Sequence, residues 1–83
     1  MLEAKIKDYI QSGYDSRKIA KWLLNLHISK HVPISINDLT DSAVMMDEMD
    51  AIEEAIIEKD YSGAINIAVD GAYNILEDQG FEI

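Results

Sequence analysis

Residues 62–79, SGAINIAVDGAYNILEDQ, carry the strongest structural signal in the chain. Its apolar residues Ile65, Ala68, Val69, Ala72, Tyr73, Ile75 and Leu76 recur at three- and four-residue spacing, which predicts an amphipathic helix from about Ser62 to Gln79. Ser62 is positioned to cap its start, and Gly80 to stop it in a left-handed turn with Phe81 folding back. The apolar arc covers more than half the girth. A helix of that kind lies at the centre of a bundle or is shared with a second copy of the chain, so homo-oligomer formation is an open expectation. Ala64, Ala68, Gly71 and Ala72 let a neighbouring helix approach closely.

Three more helices lie upstream of this one. Leu2, Ile6, Tyr9 and Ile10 mark a helix from about Leu2 to Gln11, ended by Gly13. Asp15 caps a second, which runs to about Ser29 with Ile19, Trp22, Leu23 and Leu26 as its stripe. Lys30–Asn37 reads as loop, because Pro33 pushes His31 and Val32 out of helical geometry. A third helix starts between Asn37 and Asp41 and ends near Lys59, carrying Met45, Met49, Ile52 and Ile56 on one stripe. The expected fold is one all-α domain spanning residues 1–83, a compact bundle of four helices joined by short loops.

Charge narrows the function. The 83 residues hold 16 Asp and Glu against 7 Lys and Arg, a net charge of −9. Such a surface opposes binding to nucleic-acid backbones and anionic membranes, and favours a protein partner with a basic surface. The charges are also segregated. Lys5, Lys7, Arg17, Lys18, Lys21 and Lys30 all fall before residue 32, and after it Lys59 stands among a large majority of the acids. No cysteine is present, which removes disulfides and thiolate metal sites. The first residues lack the features of a secretory leader and no apolar run spans a bilayer, so the expectation is a cytoplasmic protein outside any membrane.

Within the third helix, Asp47, Asp50, Glu54 and Glu58 form a second stripe, with no lysine or arginine at the spacing that would relieve it. A row of carboxylates on a rigid rod suits docking to a basic site, and the alternative is a solvated face neutralised by lysines of the first two helices. Met45 and Met46, with Met49, are either core or an adaptable apolar anchor beside those acids. On the second helix, Tyr14, Arg17, Lys18, Lys21 and Asn25 share one side near the N-terminus. They form a candidate anion or nucleotide site, although no glycine-rich phosphate loop accompanies them. His27 and His31 have two-ligand spacing but lack the glutamate of a zinc-protease motif, so no metal and no cofactor is expected. Ser16–Leu23 reads like the first half of a helix-turn-helix, but the helix after it is acidic, which excludes direct DNA binding.

Asp38-Leu39-Thr40-Asp41-Ser42, followed by Asp50-Ala51-Ile52-Glu53-Glu54-Ala55-Ile56, resembles the acyl carrier proteins, whose Asp-Ser pair opens an acidic helix. The resemblance covers less than a quarter of the chain. The family's glycine before the pair is missing, and Ala43 stands where a leucine is usual. What it implies is a phosphopantetheine attachment at Ser42. Enzymatic constellations are otherwise missing, and the chain reads as a non-enzyme. The leading expectation is a small acidic binding module that stoichiometrically inhibits or regulates a larger partner. Immunity proteins and phage anti-defence inhibitors are the analogy in size and charge.

Overall fold

A computed structural model describes all residues 1–83. Four helices are present: α1 (Leu2–Gln11), α2 (Ser16–His31), α3 (Ala43–Ile57) and α4 (Tyr61–Asp78). There are no strands, and a single 3-10 turn, Ile36–Asp38, interrupts the link between α2 and α3. The four-helix, all-α reading holds.

α4 is the central helix, packed against each of the other three. Its seam of Ala64, Ala68 and Ala72 is fully buried together with Ile75 and Leu76. Side chains this small let backbones come close, so the larger residues of the partners fill the space between. Ile19, Leu23, Leu24 and Ile28 come from α2, and Met45, Ile52 and Ile56 from α3. α1 contributes Ile6, its one buried residue. At Gly71 the neighbour is Glu48 of α3, whose side chain occupies the place a β-carbon would take. α3 and α4 form an antiparallel hairpin, so Val44 at the start of one shares a cleft with Glu77 and Asp78 at the end of the other.

The helix ends follow from backbone accounting. In α1, Tyr14 N–H donates to Tyr9 O and Gly13 N–H to Ile10 O, with Gly13 at φ +90°. In α4, Phe81 N–H donates to Leu76 O and Gly80 N–H to Glu77 O, with Gly80 at φ +89°. Both are Schellman closures around the glycines the sequence points to. α3 ends the same way: Asp60 N–H donates to Ala55 O and Lys59 N–H to Ile56 O, but the left-handed residue is Lys59, at φ +64°. Composition alone gives no sign of it.

Three boundaries differ from expectation. α2 continues through His31, since Pro33 excludes only the residue immediately before it. Val32 is accordingly extended, at φ −139°. α3 begins at Ala43, because Ile36–Asp38 closes its own 3-10 turn through a capping box between Ser35 and Asp38. α4 is capped by Asp60 and not by Ser62. The Asp60 carboxylate accepts from Gly63 N–H at 3.1 Å, and a β-carbon at Gly63 would collide with it. The loop between α2 and α3 is pinned twice. Asn25 Oδ1 accepts from Ile36 N–H at 2.8 Å, and the Gln79 amide exchanges hydrogen bonds with both backbone groups of Thr40.

A lysine in the left-handed region costs ~1–2 kcal/mol, and glycine there surrenders ~0.4–1 kcal/mol through its freer unfolded chain. Lys59→Gly is therefore expected to stabilise the domain by about 0.5–1 kcal/mol, read as a higher urea midpoint with an unchanged slope.

Candidate functional site

α3 sorts its side chains by angle. Met45, Met49, Ile52 and Ile56 turn into the core, and Asp47, Asp50, Glu54 and Glu58 lie on the opposite, exposed side. The four acids share one face, as their spacing requires.

One of them is neutralised. Arg17, at the start of α2, places Nη1 at 2.5 Å from Asp50 Oδ1 and 3.1 Å from Glu53 Oε2. Ser16 Oγ donates to the other Glu53 oxygen at 3.2 Å. The hydrogen bond to Asp50, set against partial desolvation and helped by Glu53, raises the Arg17 pKa above its already high ordinary value, so this cation is permanent. These are the only two ion pairs in the molecule, and Asp47, Glu54 and Glu58 have no basic partner.

The acidic surface also extends beyond α3. A cleft of about 430 Å³ between α3 and α4 is lined by Val44, Asp47, Glu48, Asn74, Glu77 and Asp78. A hydrogen bond to Glu77 raises the Tyr73 phenol pKa above its ordinary value. Sequence reasoning missed Glu48, Glu77 and Asp78 as part of this face. The available signal was the tight α3–α4 connection, which forces the start of one helix beside the end of the other.

Helix dipoles make the placement costly. The last turns of α3 and α4 contain no basic residue, and their first turns contain no acid. Glu54 and Glu58, like Glu77 and Asp78, sit at the C-terminal ends, where the partial charge is already negative. Each such placement is unfavourable by ~0.3–1 kcal/mol at low salt.

The other candidate residues scatter. Met45 is only 3 % exposed and belongs to the core, so it cannot serve as a surface anchor. Its position on α3 faces inward with Met49. Met46 is 43 % exposed and its sulfur accepts from Arg17 Nη2 at 3.6 Å. Tyr14, exposed at its edge, stacks on Tyr9 with ring centroids 5.0 Å apart, the apolar contact that accompanies a Schellman closure. Lys18 Nζ lies 5.9 Å from the Tyr14 ring centroid, and Lys18 N–H is taken by the Asp15 carboxylate at 2.8 Å. Lys21 lines, with Arg17 and Asp41, a cavity of about 460 Å³ reached by Met45, Met46 and Met49. The basic face of α2 is thus divided among three tasks. Ser42 is the N-cap of α3, its Oγ accepting from Met45 N–H at 3.1 Å. His27 is buried, with Nδ1 at 2.9 Å from Leu23 O, and His31 is exposed at the end of α2. No group of three metal-ligating side chains comes together. No helix is long and apolar enough to cross a membrane.

No family model, curated protein or solved structure matches the chain.

Replacing Glu54 and Glu58 together by glutamine removes like-charge repulsion and the unfavourable dipole contacts. The pair is expected to raise stability by several tenths of a kcal/mol in low salt. In urea titrations at about 0.5 M NaCl, where screening is short-ranged, most of the gain should vanish.

Proposed function

We propose that the protein is a non-enzymatic binding module of the immunity or anti-defence kind, whose acidic face docks on a basic site of a larger protein and blocks or regulates it. The observation that carries this reading is that Asp47, Glu54 and Glu58 are exposed on one rigid helix with no cation of their own chain to neutralise them. Three features support it. The row is pre-ordered, so little conformational freedom is lost when it binds. It continues onto α4 through Glu77 and Asp78, which widens the field that steers a basic partner. Glu54, Glu58, Glu77 and Asp78 stand where helix dipoles disfavour them, an arrangement that folding alone gives no reason to keep. Met46, half-exposed beside the Arg17–Asp50 pair, supplies an apolar contact at the edge of the surface.

This geometry favours protein docking over nucleotide binding. Arg17 is engaged by two carboxylates, and Asp15 already occupies the first-turn amide of α2 that a phosphate would need.

The test is partner capture from the native host with three baits. Wild-type protein and a Lys18→Ala/Lys21→Ala variant should retain the same basic partner in a stoichiometric complex. The Asp47→Asn/Glu54→Gln/Glu58→Gln variant should fold normally and bind at least about tenfold more weakly, because several charge contacts are lost at once. Association with the wild type should slow steeply with added salt. Equal binding by the neutralised variant would remove the acidic face from consideration.

A further inference from the structure

The end of the bundle where α1 and α3 finish and α2 and α4 begin carries an exposed apolar patch beside Glu58. Ile57 is 67 % exposed, Tyr14 49 % and Ile10 38 %, an apolar group with no covering element. Two adjoining cavities, of about 260 and 340 Å³, open there and share Ile10, Lys59 and Tyr61. The first is also lined by Tyr14 and Ile57, and the second by Lys7. Lys7 Nζ rests 5.8 Å from the Tyr61 ring centroid, and neither Lys7 nor Lys59 makes an ion pair.

In a chain with 16 acids, no carboxylate lines either cavity. The two acids at the adjoining helix starts, Asp15 and Asp60, are turned to backbone amides, accepting from Lys18 N–H and Gly63 N–H. A second observation points to the same place. Lys59 holds a left-handed backbone, where glycine would serve the α3 terminus better. The closure of α3 needs a left-handed residue at this position but not a lysine.

We propose that this end is a second docking surface, for an acidic peptide segment of a partner protein that seats an apolar side chain against Ile10, Tyr14 and Ile57 and sets its carboxylates on Lys7 and Lys59. The cavities are open and small, sized for one or two side chains, and their lysine rim selects for negative charge. Glu58 of the acidic row stands between Ile57 and Lys59 in the chain, so the two surfaces meet at the end of α3.

The test is an NMR titration of the ¹⁵N-labelled full chain with three probes: a capped peptide of alternating glutamate and leucine, its lysine-for-glutamate counterpart, and decanoate. The glutamate peptide should shift the amides of Ile10, Tyr14, Ile57, Lys59 and Tyr61 and saturate. The lysine peptide should leave those amides in place. Ile57→Ser, at a largely exposed position, should weaken binding about tenfold or more by removing the apolar anchor. Lys59→Gly should weaken it about threefold while the domain becomes more stable, which separates recognition from folding. The proposal is overturned if the glutamate peptide leaves those amides unmoved, if the lysine peptide moves them equally, or if both variants bind as the wild type does. Saturation by decanoate without a response to the glutamate peptide would reassign the surface to lipid anions and likewise overturn it.

Discussion

The close approach of helices along the small-residue seam of α4 is the constraint on which this molecule rests. Ala64, Ala68 and Ala72 are fully buried, and α4 packs against each of the other three helices. An 83-residue chain has little apolar material for a core, and the seam uses it efficiently. Large side chains of α2 and α3 fill the layer, while α4 contributes backbone proximity. Gly71 extends the seam to the edge of the core, where Glu48 crosses it. Larger residues along the seam would push α3 outward and disturb the hairpin that aligns the acidic surface.

With α3 held in this way, its outward face is rigid by construction. One arginine reaches it from α2 and joins Asp50, Glu53 and Met46 into a polar seam between the two helices. That seam is part of how α2 and α3 meet, and it leaves the rest of the row uncompensated. The bundle therefore has distinct electrostatic territories. The acidic territory runs from α3 onto the end of α4, and the basic-rimmed apolar one lies where α1 and α3 finish. The segregation visible along the chain does not resolve into wholesale pairing of basic helices with acidic ones. Most lysines remain solvated, and Lys7 and Lys18 rest over the rings of Tyr61 and Tyr14.

Much of the architecture was legible residue by residue. The existence of all four helices, the stops at Gly13 and Gly80 and the cap at Asp15 depend on contacts within a few residues and match the structure. Ile10 of the α1 stripe and Val69 and Tyr73 of the wide α4 arc instead lie exposed. The misses lie where two local signals compete. Asp60 outcompetes Ser62 as a cap because the closure of α3 has already turned its backbone toward α4. Asn37–Asp41 carries helix-start residues, yet Ser35 and Asp38 satisfy each other in a shorter turn first. At the candidate site, the acidic stripe was readable from spacing alone. The fate of Met45, Tyr14 and Arg17 was not, because each is decided by a side chain distant in sequence or by a cap geometry.

Periodicity and caps act over one or two turns, so the four helical segments apart from their ends, and the row of like charges on the third, are written in the chain itself. Packing settles which of those charges are answered, that α4 sits at the centre of the bundle, and that Ile10, Tyr14, Ile57 and Lys59 converge at one end. Those outcomes depend on distances between helices, and such distances exist only once the side chains of α2 and α3 have packed against the seam of α4.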